Sequence, residues 1–204
     1  MLTARVERTP ARGVASQSAT QRPLFSCARA RQNALLGSFA RGRTRLARGG
    51  LFAILEQIDR PNTAALGPIW ARLSDFLEIH AEAEERHFYP TLLKVGTGAG
   101  GRPSADAETE HAIKDHNEIR QAVAQVAKHA VGSEAWYAAV AEANKANSEH
   151  MGEEEREGLA DFRDNADLQT RHDLAVAFAT FEAVHYQGVR AVDKDPKAFV
   201  EAHK

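Results

Sequence analysis

Two segments of this 204-residue chain repeat one pattern, His80-Ala81-Glu82-Ala83-Glu84-Glu85 and His150-Met151-Gly152-Glu153-Glu154-Glu155, each a His followed four residues later by a Glu. Four residues of α-helix turn through about 400°, so each His and its Glu stand about 40° apart on one face, one turn from each other. Such a pair can grip a metal ion. The copies begin 70 residues apart, which suggests two helices of a pseudo-symmetric bundle, each giving one imidazole and one carboxylate to a shared site. Imidazole with carboxylate suits iron, zinc or manganese, and two such pairs can hold two ions with bridging carboxylates.

The repeat extends beyond these pairs. Asp115-His116-Asn117-Glu118-Ile119-Arg120 opens a stretch with Ile119, Val123 and Val126 at helical spacing, and His116 lies 34 residues ahead of His150. Ahead of His80, setting Leu51 and Phe52 against Ile119 and Arg120 leads to Arg48-Gly49-Gly50, where no histidine stands. His111 competes with His116, but five residues advance about 500°, so the two are about 140° apart and a regular helix cannot aim both at one site. The repeat selects His116 and leaves His111 as the alternative. His87, seven residues after His80 and three after Glu84, shares their stripe. Either His87 or Glu157, at the matching place in the second copy, could complete a site short of one histidine. Tyr89 and Tyr186 could approach the metals, with core packing as their simpler role. His172 and His185 read as surface or packing residues, and His129 and His203 as exposed ones.

In these residues the chain resembles the hemerythrin-like proteins that carry the His-His-Glu cation-binding domain, over roughly residues 46–160. The resemblance implies four antiparallel helices around a non-haem di-iron centre, oxo- or hydroxo-bridged. It places His80 and Glu84 on the second helix, His116 on the third, and His150 and Glu154 on the fourth. The first-helix histidine of that family is missing here. The function implied is binding or processing of oxygen, hydrogen peroxide or nitric oxide, with weak catalase-like or peroxidase activity. The alternative is an iron-binding, storage or redox-sensing module without turnover. A zinc hydrolase is disfavoured, because the His-Glu-x-x-His motif does not occur.

Composition limits the remaining options. A single cysteine, Cys27, excludes a disulfide within the chain and a Cys-ligated cluster. No apolar run reaches the roughly 18 residues of a membrane span, so a cytoplasmic protein without a membrane partner is expected, as a monomer or homodimer. Residues 1–50 hold ten of the 26 Lys and Arg and one of the 28 Asp and Glu, a net of +9 against −11 for the rest. A basic arm of this kind can bind nucleic acid weakly or an anionic membrane, and its Arg-rich, acid-poor make-up also fits a transit peptide. A disordered arm, or an upstream stretch read as protein, explains it as well.

The expected fold class is all-α: an up-down four-helix bundle, hemerythrin-like, with an additional C-terminal helix and a disordered N-terminal arm. The divisions are 1–43 for the arm, 44–160 for the bundle and 161–204 for the helical extension. Within them helices are expected at 44–57, 63–89, 105–128, 133–159 and 168–190, with a short tail helix. Pro90 should stop the second of these, and the glycine-rich stretch 95–104 reads as a flexible loop.

Overall fold

The computed structural model describes residues 50–58 and 62–204. The basic arm, Cys27, the start of the first helix and the turn at 59–61 lie outside the described residues. Among those described, the regular structure is helical throughout, without strands. Residues 50–57 form α1. Then follow α2 (Thr63–Ala83), a π-helical turn (Glu84–Phe88), α3 (Tyr89–Val95), α4 (Ala105–Val126), α5 (Glu134–Arg156), α6 (Gly158–Asn165), α7 (Leu168–Val184) and α8 (Pro196–His203).

The helix starts are written locally. The side chains of Asn62, Ser104, Ser133, Asp167 and Asp195 each accept a hydrogen bond from the backbone N–H three residues on, satisfying donors that a helix N-terminus leaves unpaired. The apolar faces meet in two main clusters. In one, Phe52 and Leu55 of α1 pack with Leu66, Trp70, Leu73 and Leu77 of α2, Val126 of α4, and Trp136 and Val140 of α5. In the other, Phe88, Tyr89 and Leu92 pack with Ala112 and Ile113 of α4, Phe162 of α6 and Phe199 of α8. Burying each large side chain contributes about 1.5–3 kcal/mol. The first cluster draws on α1, α2, α4 and α5 and the second on the π-helical turn, α3, α4, α6 and α8, and His80, Glu84, His116 and His150 fall between the two along the chain.

Pro90 does not stop the second helix. The backbone passes through the π-helical turn, where the Tyr89 N–H bonds to the Glu84 carbonyl, and continues as α3 to Val95. A proline in mid-helix would clash with the carbonyl four residues back and leave it unpaired. The wider turn re-registers the chain so that Pro90 falls in the first turn of α3, where its missing N–H costs nothing. The expected fourth helix breaks earlier than its pattern suggests, at Glu157 (φ −103°, ψ −102°). Here α6 begins with Gly158, on which a Cβ would stand 3.2 Å from Leu92 Cδ2, a contact that a larger residue could make only if that side chain gave way by a few tenths of an ångström. The third and fifth helices end at Val126 and Val184, short of the expected limits.

The stretch 95–104 is pinned rather than flexible. The Asp161 carboxylate accepts hydrogen bonds from the Thr97 and Gly98 N–H groups, each at 2.8 Å, and Glu108 accepts one from Ala99 at 2.5 Å. Burial opposes the charge on Asp161, but these backbone donors outweigh it and hold its pKa below the usual range. Gly98, with φ +102°, supplies the left-handed residue that the loop requires. Replacing Asp161 with Ala should remove the partner of two part-buried N–H groups and cost about 1 kcal/mol. Amide exchange at Thr97 and Gly98 should speed up accordingly in hydrogen–deuterium exchange, and unchanged exchange there would show that the carboxylate does not hold the loop.

Candidate metal centre

Three elements bring donors to one buried point. Glu84 comes from the π-helical turn, His116 from α4 and His150 from α5, at 4%, 1% and 3% exposure, with ligand atoms all within 4.8 Å of one another. The two imidazoles confront each other, His116 Nε2 lying 3.1 Å from His150 Nε2. Their outer nitrogens are engaged by acids: His116 Nδ1 is 2.7 Å from Glu85 Oε1 and His150 Nδ1 is 3.4 Å from Asp115 Oδ2. A carboxylate accepts, so each Nδ1 carries the hydrogen and each Nε2 of a neutral ring presents its lone pair inward. Two lone pairs at that distance repel unless a proton or a cation stands between them.

The remaining donors surround this pair. Glu84 Oε1 lies 2.5 Å from His80 Nε2, whereas its other oxygen, Oε2, is buried and makes no hydrogen bond among the described residues, lying 3.2 Å from His116 Nε2. His80 Nδ1 is held in turn by Glu182 of α7 at 3.3 Å. Glu154 Oε1 accepts a hydrogen bond from the Tyr89 hydroxyl at 3.2 Å, and the Tyr89 ring packs beside His116. An orphaned carboxylate oxygen, facing imidazole lone pairs and carboxylate-anchored outer nitrogens are what a metal centre of mixed nitrogen and oxygen donors requires.

The charges follow from the same contacts. Burial opposes charge on Glu84, but the His80 and His116 imidazoles outweigh it and hold its pKa well below the usual range. Glu154 goes the other way, raised by burial and by repulsion from Glu84. Burial likewise opposes charge on Glu85, yet His116, Arg120 and Lys194 hold its pKa at about 2. Arg120 Nη2 donates to Glu85 Oε1 at 2.9 Å and the Lys194 ammonium bonds its other oxygen. His116 is raised to about 9 by Glu84 and Glu85 against the opposing effect of burial.

The structure separates the other sequence candidates from this point. His87 packs its ring on Phe181 at 5.7 Å, away from the cluster, because the wide turn at Glu84–Phe88 rotates it off the stripe it would share with His80 on a regular helix. His111 lies half-buried in a neighbouring group with Asp115 and Glu153. Glu157 pairs with Arg102, and Tyr186 is exposed. Three residues that sequence reasoning did not single out, Glu85, Asp115 and Glu182, hold the imidazoles. Only the carboxylates directly following Glu84 and preceding His116 signalled the first two in the sequence. Glu182 comes from outside the repeat altogether.

A helical bundle with buried imidazole and carboxylate donors converging from separate helices defines a cation-binding protein. The family model of the hemerythrin HHE cation binding domain matches residues 45–160, more than half of the chain, and the chain belongs to that family. No curated protein and no solved structure matches it.

Metal binding must displace the His116 proton, and that gives the site a pH signature. A raised histidine pKa means that the protonated pair stabilises the metal-free fold fully below about pH 6.5 and that this is lost as pH rises through about 9. The depressed Glu85 pKa contributes stability above about pH 4.5 that is lost as pH falls towards about 2. Apparent affinity for zinc should therefore climb about tenfold per pH unit up to about pH 9 and then level off. Titration calorimetry in buffers of different ionisation enthalpy should register the released proton, and a pH-independent affinity would contradict the assignment. Glu85→Gln should weaken affinity by about 10–100-fold by loosening the His116 ring.

Proposed function

We propose that the chain is a non-haem iron protein whose buried centre holds two irons and meets dioxygen, hydrogen peroxide or nitric oxide. The observation that supports this best is the 3.1 Å confrontation of His116 Nε2 and His150 Nε2 beside the orphaned Glu84 Oε2. Glu84, His116 and His150 would hold one ion, and His80 and Glu154, with Glu84 between them, would serve its neighbour. When bound, ferrous iron would supply electrons to a small ligand at an open coordination position. The first-helix histidine of the family has no counterpart in this sequence, and the side chain beside His80 is Glu182 instead. A centre short of that one histidine ligand favours peroxide chemistry over reversible oxygen carriage.

The protein's own residues set the conditions. Glu85, Asp115 and Glu182 fix the ring orientations, and Phe178 stands edge-on to His80 at 5.1 Å, shielding it from water. Burial together with the nearby Glu154 and Glu84 raises the Tyr89 pKa well above its ordinary value, so its hydroxyl keeps its proton beside the centre. A narrow cleft lined by Tyr89, Leu92, His150 and Glu154 has room for about one water-sized molecule beside the centre. No helix among the described residues is long and apolar enough to cross a membrane. We take the bundle to be the up-down four-helix unit 44–160, with 1–43 as a basic arm and 161–204 as an extension, in a cytoplasmic monomer or homodimer.

A second reading, iron held without turnover, is favoured by the near-complete burial of Glu84, His116 and His150, from which an ion would exchange slowly. Loading the full chain with ferrous iron, then adding peroxide or air, distinguishes the two. Two irons per chain, ferric near-ultraviolet absorption and repeated peroxide consumption would support the first reading. The same iron content with a single oxidation and no turnover would support the second. A His80→Ala, His150→Ala double variant should lose the iron under either, and retention of both irons would exclude the site.

A further inference from the structure

We infer a second divalent-cation site, formed by His111 and Asp115 of α4 and Glu153 of α5, at the outer end of the cleft that reaches the buried centre. His111 and Asp115 are four residues apart and share one helix face, and Glu153 approaches them from the neighbouring helix. Their ligand atoms lie within 4.8 Å of one another. His111 Nδ1 is 3.7 Å from Asp115 Oδ2, and His111 Nε2 is 3.6 Å from Glu153 Oε2. These two contacts fall on different ring nitrogens and one ion takes only one of them, so donors bound at about 2.0–2.2 Å would require one carboxylate of the 4.8 Å group to swing across to the chosen nitrogen. The side chains are 22%, 13% and 35% exposed, which distinguishes them from freely solvated surface acids.

The local charge points to a cation as well. Arg102 occupies this spot, its Nε donating to Glu157 Oε2 at 2.9 Å and its Nη2 lying 2.8 Å from His111 Nδ1. A guanidinium can only donate, so His111 offers it a lone pair, the form that also ligates metal. Arg102 stands on the loop between α3 and α4 and is itself partly exposed, so it can swing outward when an ion takes over its role. One imidazole and two carboxylates suit a first-row divalent ion, and three protein ligands leave positions for exchangeable water. Asp115 links the two places: the Oδ2 atom that faces His111 also lies 3.4 Å from His150 Nδ1. His111, Asp115, Glu153, His150 and Glu154 line the same cleft. The outer site is thus a loading station for the buried centre. Its destination rests on the reading of that centre, whereas its own ligands do not.

Cobalt titration of the full chain, followed by calorimetry and visible absorption, tests this. The wild type should bind one weaker cobalt ion beyond those of the buried centre. His111→Gln and Glu153→Gln should each weaken that extra event by at least about tenfold while leaving the tighter ions bound, and Arg102→Gln should strengthen it. A His116→Ala, His150→Ala variant should lose the tighter ions and keep the weaker one. Identical isotherms for wild type, His111→Gln and Glu153→Gln would overturn the outer site whatever the buried centre does. Loss of the weak event in the His116→Ala, His150→Ala variant, with its helical circular dichroism intact, would also overturn it. The tighter ions persisting in that variant would instead count against the buried centre alone. Glu153 is half-exposed, so its variant retains the fold if His111→Gln does not.

Discussion

Two imidazole nitrogens facing each other across 3.1 Å in the interior, beside a buried carboxylate oxygen that makes no hydrogen bond among the described residues, form the constraint on which the rest of the architecture depends. Buried groups of this kind are costly unless paired. The fold meets that cost with acids on the outer nitrogens and with Arg120 and Lys194 on Glu85. The metal-free state satisfies the inner face by protonating His116. A bound cation would satisfy it in another way, and the two states exchange one proton for one ion. The polar level is flanked on both sides by apolar clusters that hold the helices in register, so the donors are positioned by packing rather than by one another.

The π-helical turn at Glu84–Phe88 reconciles two demands of one short segment. It lets the helix run past Pro90, and it turns Glu84 and Glu85 inward together, the first toward the imidazole pair and the second behind His116. The C-terminal region supports the same level from outside the repeated core. Glu182 of α7 steadies His80, and Lys194, ahead of α8, ties Glu82 and Glu85.

Much of the site was legible because helical spacing is a strong constraint. The two His-x-x-x-Glu copies and the offset of His116 from His150 identified the triad that converges, and His111 was separated from His116 by angle alone. The all-α class and most helix spans followed from apolar periodicity and cap residues. The misreadings had local causes. A regular-helix reading of Pro90 makes it a stop, and the wider turn removes the clash. The glycine-rich stretch 95–104 carries every signal of a loose loop, and its anchors Asp161 and Glu108 are distant in sequence. Glu182 was invisible for the same reason, since tertiary contacts leave no periodic trace.

The most direct test of the central claim is to crystallise the full chain loaded with iron and locate the metal by anomalous scattering at the iron absorption edge. The account predicts a peak between His116 Nε2, His150 Nε2 and Glu84 Oε2, with a neighbouring peak toward His80 and Glu154. An iron-loaded crystal with no anomalous density at that buried level would contradict it.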